Sequence, residues 1–187
     1  MKSSACQFEN VPHAPAKKRL GGLVALAFGA ALLLWGGCST PVAQTVAFNE
    51  TDYKFAEATG TAAIRGHAFV RSDTGAKHGA AGIQIYLVPL TEYTEERAKI
   101  MQSGKDPVPA DPRLEHYTKT VVGDWGGEFK FENLPAGNYL IFCRIEWERQ
   151  LPFGQRRDGY GGFYALAKTQ VKNGEHKNVV VTNVGQK

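Results

Sequence analysis

Seven short runs of β-branched and aromatic residues, divided by turns rich in glycine or proline, limit the fold of this 187-residue chain most strongly. Apolar and polar residues alternate within several runs, which is the period typical of half-buried strands. The runs are 64–70, 83–88, 117–122, 128–131, 138–147, 163–171 and 177–182. Strands at this spacing predict an all-β sandwich of about seven strands.

One segment breaks this pattern and predicts a short inserted helix at about 91–103. Thr91 can cap the helix start, early glutamates favour a helix N-terminus, and Gly104 suits the helix end. Three prolines follow within 107–112. They predict an extended loop, because proline lacks the backbone donor that regular sheet pairing requires.

The N-terminal leader has the layout of a secretory signal. A basic cluster at 17–19 precedes an uncharged apolar stretch at 20–35, and Gly36-Gly37 supplies small residues before Cys38. A thiol at this place is a strong nucleophile for lipid transfer. The alternative is a single membrane-spanning anchor, which needs about 20 apolar residues. This run is shorter, is broken by glycines and leads into polar sequence, so the leader is expected to be a signal peptide over 1–37, disordered or helical.

The end of the leader resembles the lipobox of bacterial lipoproteins, with Trp35 in place of the usual aliphatic residue. The resemblance implies cleavage before Cys38 and lipidation of Cys38, and therefore a lipid-anchored protein of the bacterial cell envelope. Ser39, rather than Asp, resembles the pattern sorted to the outer membrane in Gram-negative cells. Several acyl chains would attach the protein firmly to the membrane, because each buried methylene contributes about 0.8 kcal/mol to the free energy of attachment.

Charge and cysteine use look different once the leader is set aside. The whole chain has 22 Lys and Arg against 18 Asp and Glu, and removing 1–37 leaves 18 against 17. This balance gives no support for a nucleic-acid partner, which requires concentrated positive charge. Besides Cys38, the mature part holds only Cys143, so no intramolecular disulfide is expected. Apolar neighbours at alternating positions place Cys143 in the core.

The rest of the chain predicts a tether, one domain and a tail. Residues 38–60 are small, polar and aperiodic apart from a few apolar positions, so they predict a tether off the membrane with room for one edge strand. Residues 61–183 are long enough for a domain with its own core. Residues 184–187 form the tail.

Three stretches resemble the carboxypeptidase regulatory-like domains: 66–70, 81–89 and 127–139. The last one is similar to the Gly-x-Phe-x-Phe-x-x-Leu-Pro-x-Gly-x-Tyr hairpin of that family. The resemblance implies a Greek-key, transthyretin-like β-sandwich, which is shared with Cna-B modules. It implies a fold and no particular activity, because one fold hosts many functions.

Two activities of related modules lack their residues here. The Lys–Asn isopeptide bond of Cna-B modules would have Asn178 or Asn183 available, but the first core strand offers Arg65 in place of lysine. Transthyretin-like hydrolases end in a Tyr-Arg-Gly-Ser motif, whereas this chain ends in Gly185-Gln186-Lys187.

The residue pattern predicts no catalytic residue, metal site or cofactor. The histidines of the mature part lack the close spacing of metal ligands, and His78 and His176 lie beside turn glycines, where exposure is expected. Glu146 and Glu148 share one strand face and could divide acid and base roles. Arg144 nearby favours a solvated charged surface instead.

The segment 149–164 is the strongest candidate for a binding loop. Its candidate residues are Arg156, Arg157, Asp158, Tyr160, Phe163 and Tyr164. Aromatic rings can stack on sugar faces while Arg and Asp hydrogen-bond to hydroxyls. The favoured alternative is a long hairpin loop whose aromatic residues close the end of the sandwich.

The sequence therefore predicts a lipid-anchored envelope protein with a non-catalytic β-sandwich used for interaction, with the membrane and an envelope protein as partners. The alternative is a carbohydrate-binding module for peptidoglycan or polysaccharide. That alternative predicts that Trp125, Tyr160 or Tyr164 is exposed at one end. An envelope enzyme is the least favoured, since it would require distant polar residues to converge in a pocket.

Overall fold

A computed structural model of the chain describes residues 40–148 and 160–183, which lie within one structural unit, Cys38–Lys187. The predicted signal peptide, Cys38, the tail and three loop candidates, Arg156, Arg157 and Asp158, lie outside the described residues. The strands are β1 (Ala62–Arg71), β2 (Lys77–Gly79), β3 (Gln84–Pro89), β4 (Lys119–Val122), β5 (Glu128–Leu134), β6 (Gly137–Glu148), β7 (Tyr160–Val171) and β8 (His176–Val181). The helices are α1 (Glu92–Gln102) and two 3-10 helices, Glu50–Glu57 and Pro112–Tyr117.

The eight strands form two four-stranded sheets. In the first sheet β1 is central: it pairs with β8 in parallel along one edge, and with β5 and then β2 in antiparallel fashion along the other. The second sheet has the order β4-β3-β6-β7, and all its pairs are antiparallel. The all-β sandwich with a short helix is thus confirmed.

Side-chain alternation along the strands builds the core between the sheets. In β1, Ile64, Ala68 and Val70 are fully buried, while Arg65 between them is exposed. This is the pattern expected of a strand with one face toward a core. The predicted core position of Cys143 is confirmed, because its side chain is fully buried.

The predicted inserted helix is present and carries a capping box. The Thr91 side chain accepts from the Thr94 backbone N–H, and the Thr94 hydroxyl accepts from the Thr91 N–H at 2.8 Å. These contacts satisfy amides that a helix start otherwise leaves unpaired. Ala98 and Met101 pack with apolar residues of β3, β6 and β7, so α1 covers part of the outer face of the second sheet.

Two details of the strand pattern were not expected. The three-residue strand β2 is too short, and too poor in branched residues, to show an alternating pattern. It pairs with Phe69–Arg71 at the end of β1. The strand expected at 117–122 begins only at Lys119, because its first residue closes the 3-10 helix Pro112–Tyr117.

The N-terminal segment differs from the predicted tether. It forms a 3-10 helix rather than an edge strand, and Tyr53 within it is fully buried. Tyr53 packs with Tyr93, Leu114 and Tyr117, and the Phe48 ring stacks on it at 4.6 Å between centroids. The apolar residues that looked irregular in the sequence are spaced to meet this cluster, so the segment belongs to the folded body.

None of the helices in the described part of the chain is long and apolar enough to cross a membrane.

Candidate functional site

The structure does not gather the described residues of the predicted binding loop on one surface. The Phe163 ring packs toward the core, 5.7 Å from the Trp147 ring centroid. Tyr164 points to the other side of β7, where its hydroxyl donates to Asp106 Oδ1 at 2.7 Å. Burial raises the pKa of Tyr164, and the bond to Asp106 adds to this effect. For Tyr160 only the backbone, within β7, is described.

Among the described residues, Trp125 is the large aromatic side chain that is exposed to solvent. Its side chain is 99% exposed. It lies in the turn between β4 and β5, where the Gly127 N–H donates to the Asp124 carbonyl at 2.9 Å. Asp124 Oδ1 also accepts from the amides of Gly126, at 2.9 Å, and Glu128, at 2.8 Å. The turn is therefore held in one conformation while its indole faces water.

This turn is fixed against the first sheet. The Ala68 N–H donates to the Gly127 carbonyl at 2.9 Å, and the Ala80 N–H donates to the Ala68 carbonyl at 3.0 Å. Gly127 has φ of 78°, a left-handed conformation that favours glycine. These contacts place the Trp125 turn at the level of Ala68, beside the outward-facing residues His67 and Phe69 of β1.

A groove of about 830 Å³ runs along the outer face of the first sheet, next to this turn. The strand register places Asn178 of β8, Arg65 of β1 and Lys130 of β5 in one row across it. The next row holds Val180, His67 and Glu128 in the same order. A row of basic and amide side chains thus lies next to a row that holds one aliphatic, one aromatic and one acidic side chain.

Two exposed valines add apolar surface to the groove. Val122, at the end of β4, is 60% exposed, and Val180 of β8 is 58% exposed. The side chains of His67, Glu128 and Asn178 have no hydrogen-bond partner among the described residues. The groove therefore combines apolar contact area with donors and acceptors that a ligand can use, which is the composition of a binding surface.

Other chemical candidates have structural roles. Burial raises the pKa of the Cys143 thiol to about 12, so it stays protonated and unreactive at neutral pH. Glu146 pairs with Arg144 Nε at 2.8 Å on an exposed surface, as the charged-face interpretation expects. The described residues contain no group of three or more potential metal ligands. His78, expected to be solvated, is half-buried and stacks on Trp147 at 4.2 Å.

The structure also locates the pair considered for an isopeptide bond. Arg65 and Asn178 are direct register partners in the parallel β1–β8 pair. Both side chains are exposed on the outer face of the sheet. The isopeptide bond would require a lysine amine at position 65, and this chain has the guanidinium of an arginine there. The two residues therefore form part of the groove floor.

Comparisons with known proteins support the fold. No family model matches the chain, and no curated protein matches it. A crystal structure from Pseudomonas aeruginosa, of a protein suggested to bind carbohydrate, has a TM-score of 0.63 at 24% identity. The match covers 72% of this chain and 97% of that one. At this identity the similarity is one of fold.

Two further solved structures overlap with the chain over smaller parts of their own length. A streptococcal ancillary pilin has a TM-score of 0.31 at 16% identity, with 64% of this chain and 31% of the pilin covered. An (S)-allantoin synthase has a TM-score of 0.29 at 13% identity, with 67% and 42% covered.

Proposed function

We propose that the chain is a non-catalytic carbohydrate-binding module held in the bacterial cell envelope by a lipid on Cys38. The observation that carries the binding function is the 99% exposed Trp125 on a hydrogen-bonded turn beside a groove. Sugar rings present flat C–H faces that stack on aromatic rings, and large exposed aromatics mark interaction sites. A preformed turn lowers the entropy lost on binding.

Two independent lines support the class of ligand and the location. The Pseudomonas aeruginosa protein of similar fold has been suggested to bind carbohydrate. The resemblance of the sequence before Cys38 to a lipobox supports an envelope location, with the outer membrane as the expected destination in a Gram-negative host.

An envelope protein is the second candidate partner. The exposed Val122 and Val180 favour it, because aliphatic side chains with more than half of their surface in water are typical of protein contacts when they lie together. Binding to polysaccharide and binding to a protein are separable, since only the first requires Trp125 to stack on a sugar ring.

The proposal is tested by co-sedimentation of the full-length chain, in detergent, with peptidoglycan sacculi and a panel of insoluble polysaccharides. Trp125→Ala should weaken binding by about 30-fold, the size expected when a central aromatic anchor is removed. Tyr86→Ala is the matched control, because Tyr86 is a half-buried aromatic residue of the second sheet, stacked on Phe142 at 5.2 Å. Equal binding of Trp125→Ala and the wild type would contradict the proposal.

A further inference from the structure

The outer face of the first sheet is more basic than the rest of the described protein. Its cationic side chains are Arg65, Arg71, Lys77 and Lys130, and its acidic ones are Glu128 and Glu132. The described residues taken together carry more acidic than basic side chains. Positive charge is therefore concentrated on the same face that carries the groove. Asp124 also lines the groove, but its Oδ1 accepts the turn amides.

The cations lie at the two ends of the face. Arg65 is the register partner of Lys130 at one end, and Arg71 is the register partner of Lys77 at the other. Arg71 follows Arg65 by six positions along the extended strand, a span of about 20 Å. Between them, His67 and Phe69 form a ring contact at 5.4 Å, beside the Trp125 turn.

Most of these cations keep donors for a ligand. Lys77 Nζ lies 4.4 Å from the centre of the Phe69 ring. Arg71 uses one Nη1 bond, at 3.2 Å, to the Gly75 carbonyl, and a guanidinium has five N–H donors. Lys130 is paired with Glu132, which lowers the pKa of that carboxyl. The charge of Arg65 also helps to lower the pKa of Glu132, but Arg65 has no hydrogen bond or ion pair among the described residues. Arg65, Arg71 and Lys77 are thus the groups that can bind anions.

We infer that the ligand of this face is an anionic glycan, a polysaccharide bearing carboxylates, bound lengthwise along β1. Its sugar rings stack on the aromatic centre, and its carboxylates meet the cations at both ends. Arginine suits this role because its planar donors bind a carboxylate in bidentate fashion. The inference rests on the proposed carbohydrate-binding function and adds the charge of the ligand.

A matched pair of polymers tests the charge. Polygalacturonate and its fully methyl-esterified form share one backbone and differ in the carboxylate charge. By isothermal titration at about 50 mM salt, the full-length chain in detergent should bind the acidic polymer at least about tenfold more tightly, and the difference should shrink at high salt. Equal affinity for both polymers overturns the inference and leaves the carbohydrate function standing. Binding to neither polymer, and to none of the sacculi and polysaccharides above, overturns the carbohydrate function itself.

Charge variants locate the anion site. Arg65→Gln and Lys77→Gln should each weaken binding of polygalacturonate about two- to fivefold and leave binding of the ester unchanged. Lys119→Gln is the matched control, since it removes one exposed charge from β4 of the second sheet. A Lys119→Gln effect as large as that of Arg65→Gln would overturn the assignment, as would equally tight binding of a DNA oligomer, which would indicate attraction to any polyanion.

Discussion

At the scale of single residues, Gly127 holds the candidate site in place. A Cβ atom there would lie 2.8 Å from the Ala68 carbonyl oxygen and 2.9 Å from the Ala80 amide nitrogen. Real Cβ atoms do not approach backbone so closely, and the positive φ of 78° adds strain for any other residue. The glycine thus allows the backbone of the Trp125 turn to lie close enough to β1 for its carbonyl to accept from the Ala68 N–H.

Gly127→Ala should lower the free energy of unfolding by about 2–4 kcal/mol, from backbone strain and overpacking together. Gly75→Ala is the control: its φ is 84°, but no atom lies within 4 Å of the added Cβ, so only the strain of about 1 kcal/mol applies. Urea unfolding of both variants measures the difference. An equal loss of unfolding free energy in the two variants would contradict close packing of the turn against β1.

Sequence reasoning placed Cys143 correctly and described Trp125 only as one of three candidates. Cys143 has apolar neighbours at alternating positions, and that local pattern decides burial. Exposure of Trp125 depends on the conformation of its turn and on what packs around that turn, and a local sequence pattern does not contain this information. Tyr164 shows the same limit, because its partner Asp106 is 58 residues away.

At the scale of elements, one carboxylate helps to hold the N-terminal segment on α1. Glu96 of α1 accepts from the Thr45 backbone N–H at 2.9 Å, the Thr45 hydroxyl at 2.6 Å and the Val46 N–H at 2.8 Å. These hydrogen bonds lower the pKa of Glu96, the Thr45 side-chain bond having the largest effect. The contact stabilises the folded form only while the carboxylate is charged.

Acidification should therefore weaken the attachment of the segment around Thr45. Because the pKa is lower in the folded form, the stabilisation is complete above the unfolded value of 4.5 and is lost as the pH falls through the folded value. Glu96→Gln should produce faster amide exchange at Thr45 and Val46 at neutral pH. Glu92→Gln, an exposed change in the same helix, should leave exchange there unaltered. Unchanged exchange in Glu96→Gln would contradict this role.

Element boundaries followed the local patterns where those patterns were long. The strands β6 and β7, each 12 residues, and the capped helix α1 were predicted within a few residues of their observed ends. The 3-10 helix Glu50–Glu57 was missed because its buried Tyr53 finds partners in α1 and in Pro112–Tyr117. Contacts with residues so distant in the sequence leave no periodic pattern of apolar residues within the segment itself.

At the scale of the whole molecule, the two sheets have different outer faces. The second sheet is covered in part by α1, while the first sheet carries the groove and stands beside Trp125. The sandwich could be predicted from the sequence, because 127–139 resembles a hairpin of known β-sandwich domains. The candidate binding face could not be derived in that way, because it depends on the register of β5, β1 and β8.

The envelope anchor is a separate prediction about the whole chain. Cys38→Ser removes the thiol that accepts lipid, so a bacterial host should yield an unprocessed or soluble protein without incorporated palmitate. Membrane fractionation with labelled palmitate measures this, and Cys143→Ser serves as the control for loss of a buried thiol. Normal lipid labelling and membrane retention of Cys38→Ser would contradict the anchor.

The most direct test of the central claim follows the indole N–H signals during glycan titration. Residues 38–187 contain two tryptophans, Trp125 and Trp147, and Trp147 is half-buried with its ring stacked on His78. A two-dimensional NMR titration of the ¹⁵N-labelled protein with polygalacturonate should shift the Trp125 signal strongly and leave the Trp147 signal in place. Binding that shifts Trp147, or that leaves Trp125 unmoved, would contradict a carbohydrate site on the outer face of the first sheet.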